Sequence, residues 1–309
     1  MVLYCKSAPV YDIDKEEVIA KGLLPGIMRV YGADSTTFTL WSKSRYSSQT
    51  NGIARRLGSK IVGVGKRFKM NELSHMFSLS DCYWVGKEGE SNRFKELSPY
   101  YVTFWKGDGV YNGKAVPTLY VGGYLNKEWR NSKDLVKYGV NSLNEIPCYN
   151  LCKACGVSVA EIHKEEDHII VKNFTSDSLF LEQADQSGLL NPDDFSEEDI
   201  VSLFGWKGLQ MLLIDAIVGN GDRHAGNFGW LRSTDTGEYV KMAPLYDFDH
   251  AFDSTSNSDI LISDVSKIAS RLFSSMAISL VKTAIDANIC DTFSSRAKTI
   301  LNNISGGSF

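Results

Sequence analysis

The sequence predicts an α+β molecule of two lobes, a strand-rich part preceding a helix-rich one with a cleft between them for chemistry. Three observations carry that expectation. The chain has 309 residues, of which 43% are apolar and 23% charged, which is enough to bury a large core and too apolar for disorder. From about Phe94 to Phe174, β-prone runs alternate with turn residues, and beyond Phe174 apolar residues recur at helical spacing. No internal repeat and no linker rich in Pro, Gly or Ser cuts the chain. Boundaries therefore follow the changes of pattern: an N-terminal extension over 1–93, a strand-rich lobe over 94–174 and a helical lobe over 175–309.

Taken in order, the run Thr37 to Trp41 reads as a strand, and the lysine- and arginine-rich stretch Gly52 to Phe77 as partly helical. Tyr100 to Trp105 and Thr118 to Val121 are β-prone, Gly122-Gly123 makes a tight turn, and Asp134 to Tyr138 is a further short strand. A helix fits Glu145 to Cys155, with Asn144 as N-cap, Pro147 in the first turn and Gly156 just past the end. A hairpin follows, Val157 to His163 and His168 to Phe174 flanking the charged turn Lys164 to Asp167. Ile200, Leu203, Phe204, Leu209, Leu212, Leu213, Ala216 and Ile217 then form a broad apolar helical face. Asp193, Asp194, Glu197, Glu198 and Asp199 stand at its positive end as solvated charge.

Composition excludes several function classes. With 33 basic against 37 acidic residues the net charge is -4, so no global positive field gathers nucleic acid or anionic lipid. The stretch Arg55 to Lys69 carries six basic residues and no acidic one; it reads as a solvated helix face before it reads as a patch for a phosphorylated partner, RNA or membrane. Gly58 to Arg67 is glycine-rich but lacks the Lys and the Ser or Thr of a P-loop. The six cysteines form no dense disulfide framework, and Cys148, Cys152 and Cys155 recur at helical spacing as a buried stripe. Met1 to Asp12 lacks the features of a leader, while Asp215 and Lys282 interrupt the two richest apolar stretches, which stop short of the ~20 residues that span a bilayer. The expectation is a soluble, cytoplasmic protein without a transmembrane segment.

The chemistry concentrates between Val218 and Asp249. An apolar helix runs into the loop Gly219-Asn220-Gly221-Asp222-Arg223-His224-Ala225-Gly226-Asn227 and leaves it as a strand through Phe228, Trp230 and Leu231. Packing asks for no such loop. Asp222 and Asn227 are separated by the interval at which a phosphoryl-transfer loop sets a carboxylate on the attacking hydroxyl and an amide oxygen on magnesium. One hairpin later, Tyr246-Asp247-Phe248-Asp249 returns a carboxylate as a second hard oxygen ligand.

Gly-Asp-Arg-His-x-x-Asn followed about twenty residues later by Tyr-Asp-Phe-Asp resembles the HipA-like Ser/Thr kinases, related to the phosphatidylinositol 3/4-kinase branch of the protein-kinase fold. The resemblance rests on residues 218–249, extends over 115–217, and is echoed by Ser78 to Val85. It implies a two-lobed protein-kinase-like fold, with ATP and Mg2+ as cofactors, a protein hydroxyl as acceptor and an antitoxin-type partner. It implies Asp222 as catalytic base, His224 as a loop-ordering or phosphate-facing group, and Asn227 and Asp247 as magnesium ligands. Lys137 matches the lysine that holds the ATP phosphates, in preference to Lys127, Lys133 and Lys153, and Glu145 is its expected partner. Gly122 and Gly123 sit where the phosphate-covering loop belongs, and Val171 to Phe174, including Asn173, where the hinge meets adenine. The competing readings are a phosphoinositide or small-molecule kinase, for which the same loop and the basic stretch serve, and a nucleotide-binding pseudokinase acting as an interaction module.

Overall fold

The structure is a computed structural model describing residues 1–43, 75–98, 100–101, 110–111, 114–115, 127–221, 223–252 and 256–306. Gly122, Gly123, Asp222, the expected strand at Thr118 to Val121, most of that at Tyr100 to Trp105 and the basic stretch Arg55 to Lys69 lie outside the described residues. The described chain forms two compact units, each drawn from three stretches of sequence. The first comprises Met1–Lys137, Ile170–Leu189 and Gly229–Lys241, and the second Tyr138–Ile169, Leu190–Phe228 and Met242–Phe309.

In the first unit, β1 (Val2–Cys5), β2 (Ala8–Asp12), β3 (Glu17–Val18) and β4 (Tyr83–Gly86) make a sheet of order β3-β2-β1-β4. Every β1 side chain is buried, and the period of two divides them between two cores. Leu3 and Cys5 join Val10, Tyr11, Met28, Trp41 and Tyr83, whereas Val2 and Tyr4 join Phe77, Trp84 and Phe94. On the second face Tyr4 stacks on Trp84 at 4.7 Å between ring centroids, and Phe77 stacks on the same indole at 5.6 Å.

The helices α1 (Gly26–Tyr31) and α2 (Ser35–Lys43) follow β3. The strand expected at Thr37 to Trp41 is thus a helix, and the reason is local. Thr37 N–H donates to Asp34 Oδ1 at 2.8 Å while Asp34 N–H donates to Thr37 Oγ1 at 3.1 Å, a reciprocal cap that a β-branched run does not advertise. Helical spacing then turns Thr37, Trp41 and Ser42 inward. The short helix α3 (Phe94–Leu97) and a two-stranded ribbon, β5 (Val110–Tyr111) with β6 (Lys114–Ala115), come next.

β7 (Lys127–Trp129) pairs antiparallel with β8 (Asp134–Tyr138), Lys127 opposite Lys137, and β10 (His168–Lys172) neighbours β8. β8 occupies the residues the sequence assigns to it. The hairpin of β9 (Ile162–Glu165) and β10 is shorter than expected, its turn reduced to Glu166 and Asp167. Val157 to Ala160 stay outside it because Val159 bridges in parallel to Leu245. A three-stranded sheet, β11 (Leu179–Gln183), β12 (Gly229–Ser233) and β13 (Tyr239–Met242), completes the first unit, and α5 (Ala184–Ser187) follows β11.

Arg232, wholly buried on β12, organises this unit. Its guanidinium donates to Glu182 Oε1 at 2.7 Å and to the carbonyls of Gly237 at 2.7 Å, Leu24 at 3.1 Å and Gly22 at 3.2 Å. Glu182 in turn accepts from Gly26 N–H at 2.8 Å and Tyr239 O–H at 2.7 Å. Gly237 must be glycine: its φ is +73° and a Cβ there would stand 1.9 Å from the Gly22 carbonyl oxygen.

The second unit, which also holds β9, is mainly helical. It contains α4 (Glu145–Ala154), α6 (Glu197–Phe204), α7 (Trp206–Val218), α8 (Ser256–Leu272), α9 (Ser274–Ala287) and α10 (Asp291–Gly306). α7 is buried continuously from Gly208 to Val218 and packed by the other five, as a helix apolar on all sides requires. α6 opens with Ser196 and Asp199 in a reciprocal capping box, and Glu197, Glu198 and Asp199 lie in its positive first turn, as the acidic cluster implies. Asn144 makes no side-chain cap on α4, because a 3-10 turn over Val140–Asn144 already leads into the helix and places Asn144 in helical dihedrals. Cys148 and Cys152 are fully buried and Cys155 partly so, and burial pushes the Cys155 thiol up to about 11. No described helix is long and apolar enough to cross a membrane.

Candidate functional site

α7 ends at Gly219, whose φ of +70° forms a left-handed cap, with the Asp215 carbonyl accepting from its N–H. The loop that follows is tied to the helix by one carboxylate. Asp215 is the only charged residue of the run Leu209 to Val218, has no exposed surface, and accepts from Arg223 Nε at 2.9 Å, Arg223 Nη2 at 2.7 Å and Asn220 Nδ2 at 2.9 Å. Asn220 is 1% exposed and bound to that buried carboxylate.

The remaining donor nitrogen of Arg223, Nη1, reaches two loops at once, donating to the Asn227 carbonyl at 3.0 Å and the Tyr246 carbonyl at 2.7 Å. The guanidinium also lies 4.9 Å from the centroid of the buried Phe248 ring. Burial alone depresses the ionisation of Arg223, but the charge of Asp215 outweighs it and holds the guanidinium above its usual range. The arginine is therefore a permanent cation spanning the segments on either side of Asn227 and Asp247.

His224 is exposed, and its Nδ1 accepts from Gly226 N–H at 3.1 Å, capping the 3-10 turn Ala225–Asn227. The structure thus gives it a loop-ordering contact. Asn227 is 8% exposed, and its side-chain amide has no hydrogen bond to any described residue, an arrangement that leaves a hard oxygen available to a cation. Tyr246 O–H donates to the Gly226 carbonyl at 3.0 Å, a second tie between the loops. Asp247 has φ +64°, the left-handed region that Asp tolerates better than most residues. Such strain persists only where surroundings fix it. Here they do, because Leu245 exchanges backbone bonds with Ser158 and Ala160, and Phe252 N–H donates to the Val218 carbonyl.

The other expected site residues fall as follows. Lys137, in β8, is 3% exposed, whereas Lys133 and Lys153 are exposed and Lys127 is half-buried, so burial distinguishes it from its three rivals. Glu145, at the start of α4, is 1% exposed. Val171 is buried in β10. Asn173 follows that strand and donates its N–H to the Lys133 carbonyl at 2.8 Å, while its side-chain amide donates to the Ser132 carbonyl at 3.0 Å and accepts from Thr175. The second unit brings together His224, Asn227 and Asp247 through Arg223. Sequence reasoning missed Arg223 and Asp215 as a pair; the available signal was a lone carboxylate inside an apolar helix with an arginine in the loop behind it. Among the described residues no cluster of three His, Cys, Asp or Glu side chains suits a metal, and the hard donors present are one amide and one carboxylate.

Comparison with known proteins bears on the family and the fold. Residues 114–304 match the model of the HipA-like C-terminal domain, reaching well past the loops into the terminal helices. A 53-residue segment is 40% identical to the serine/threonine-protein kinase CtkA of Helicobacter pylori strain J99, covering 17% of this chain and 15% of that protein. Among solved structures, the complex of HipA, HipB and operator DNA from Shewanella oneidensis MR-1 aligns over 99% of this chain and 96% of the other, with a TM-score of 0.58 at 12% identity. The Helicobacter pylori proinflammatory kinase CtkA aligns over 59% of this chain and 92% of that one, with a TM-score of 0.38 at 14% identity. The α+β, kinase-like fold expected from the sequence is the fold observed. With the family model matched over more than half its length, the chain belongs to the HipA-like family.

Proposed function

We propose that the protein is an ATP- and Mg2+-dependent phosphotransferase that moves the γ-phosphoryl group onto a serine or threonine hydroxyl of a protein. The observation that carries this reading is Arg223, whose guanidinium bonds the carbonyls of both Asn227 and Tyr246 and so fixes the two segments that present the candidate ligands. Asn227, whose side-chain amide has no hydrogen bond to a described residue, and Asp247 are the residues that would hold magnesium. When bound, the ion neutralises charge on the transferring group.

The chain's own residues do the rest by positioning. Asp222 accepts the proton of the acceptor hydroxyl and orients its oxygen. His224 Nδ1 holds the turn Ala225–Asn227 in shape. Lys137 is the residue proposed to bring positive charge to the ATP phosphates, and Gly122, Gly123, Glu145, Val171 and Asn173 are the further residues proposed for nucleotide binding. An antitoxin-type partner, as in the Shewanella complex of HipA with HipB, is proposed alongside; copurification from the native host tests it.

The decisive experiment follows label from γ-labelled ATP into protein in a cell extract, with anionic vesicles in parallel. The wild type is expected to label protein and not lipid. Asp222→Asn is expected to lower transfer by about 10³-fold, the scale of a lost general base, while calorimetry shows ATP affinity nearly unchanged. Loss of ATP binding in step with activity overturns the role of Asp222, and label in lipid alone overturns the protein acceptor. Lys137→Met is expected to lower transfer by about 10²-fold or more in a folded protein.

A further inference from the structure

Cys5, the last residue of β1, and Cys82, just ahead of β4, are 1% and 5% exposed, and their sulfur atoms lie 2.8 Å apart. That is closer than unbonded sulfurs normally rest and not yet the ~2.05 Å of a bond; both thiols are free. The backbone explains the approach. In register Cys5 faces Tyr83, so a regular strand would turn Cys82 to the opposite face. Asp81 Oδ1 accepts from Tyr83 N–H at 2.9 Å and Lys6 N–H donates to the Cys82 carbonyl at 2.9 Å. These bonds hold Cys82 at the entrance to β4, with its side chain in the same core cluster as Cys5 and Tyr83. No other pair of the six cysteines makes such a contact.

We propose that Cys5 and Cys82 are a disulfide-forming pair, oxidised by a small-molecule disulfide such as oxidised glutathione. The thiolate of one cysteine attacks a glutathione sulfur, releasing one glutathione and leaving a mixed disulfide. The second cysteine attacks the protein sulfur of that intermediate and releases the other glutathione. Two S–H bonds are replaced by one S–S bond, and the two electrons and two protons leave on two reduced glutathione molecules. Burial, reinforced by the neighbouring Cys5, raises Cys82 well above the ordinary thiol range, so the closed state holds little thiolate. Among the described residues β4 is an end strand of its sheet, paired within it to β1, and fraying of that edge is the route of access. Oxidation is accordingly slow in the folded protein and fast during refolding. The bond would close a loop between residues 77 apart, constraining the unfolded chain of the first unit.

The test incubates the full chain with oxidised or reduced glutathione at pH 8, both folded and during refolding, then quenches in acid, blocks with N-ethylmaleimide and maps peptides by mass. The expected result is a Cys5–Cys82 cross-linked peptide lighter by two hydrogens, abolished by dithiothreitol, with a melting temperature raised by about 5–10 °C. Cys155→Ser is expected to keep that shift and Cys5→Ser to lose it; if Cys5→Ser does not fold, the wild-type peptide map decides alone. Recovery of both Cys5 and Cys82 as alkylated thiols after refolding with the oxidant, or as stable glutathione adducts, overturns the proposal.

Discussion

Each unit contains one buried arginine clamped on one buried carboxylate, Arg232 on Glu182 in the first and Arg223 on Asp215 in the second, both at 2.7 Å. The chemistry is the same, yet the attachments differ. Arg232 spends its remaining donors on Gly22, Leu24 and Gly237, carbonyls of the N-terminal segment and a hairpin turn. Arg223 spends them on Asn227 and Tyr246, beside the candidate ligands. A buried ion pair is weak evidence of net stabilisation, because desolvation offsets the attraction. What such a pair does is fix geometry, and the partner carbonyls show which geometry is fixed. One pair holds the N-terminal segment to the sheet of β11, β12 and β13, and the other holds two loops in register.

Replacing each arginine by lysine is the strongest way to break this comparison. Lysine keeps the charge but has three donors in place of a planar fork, so buried carbonyls go unmet at about 1–3 kcal/mol each. Both variants are expected to melt several degrees below wild type. Arg223→Lys is further expected to lower transfer per folded molecule by about 10²-fold, the penalty of misplacing reacting groups by about 1 Å, whereas Arg232→Lys keeps transfer within about twofold. Equal losses of transfer in the two variants, measured at a temperature where both are folded, would erase the distinction.

The contrast also explains what the sequence disclosed. Local pattern revealed β8, most of α4 and the acidic opening of α6, where period and end signals agree. It failed at α2, because the bonds between Asp34 and Thr37 override the β preference of a Thr-Phe-Thr run. The ligand candidates Asn227 and Asp247 were chosen for a spacing at which a phosphoryl-transfer loop would set its ligands. Arg223 and Asp215 were not read as a pair: a buried ion pair between a helix and the loop after it has no period, and its meaning lies in carbonyls at Asn227 and Tyr246 that any residue type supplies. Arg232 was invisible for the same reason, its partners lying up to 210 positions away.

A finer division lies within the loop that Arg223 holds. Asp247 and Asp249 stand two apart, but only Asp247 has a positive φ, the mark of a residue kept in place by its surroundings. Asn tolerates the same region, so Asp247→Asn alters charge without disturbing the backbone. This variant is expected to lose most of the extra rise in melting temperature that ATP with Mg2+ gives over ATP with chelator, since a ligand stabilises only as far as it binds. Asp249→Asn is expected to keep most of it. The reverse pattern would move the proposed metal ligand to Asp249.

The smallest expected effect concerns Tyr246, the second tie between the loops. Its hydroxyl donates to the Gly226 carbonyl at 3.0 Å, while its own carbonyl accepts from Arg223 at 2.7 Å. Tyr246→Phe removes the first bond and leaves the second, because the second belongs to the backbone. The part-buried Gly226 carbonyl loses one partner, which costs about 1 kcal/mol, and the ring keeps its packing. If Arg223 sets the register of the two loops, Tyr246→Phe lowers transfer by less than about tenfold and leaves the magnesium-dependent thermal shift in place. If transfer instead falls as far as in Arg223→Lys, the loops are held chiefly by the tyrosine, and the arginine in the second unit is a structural clamp of the same kind as Arg232.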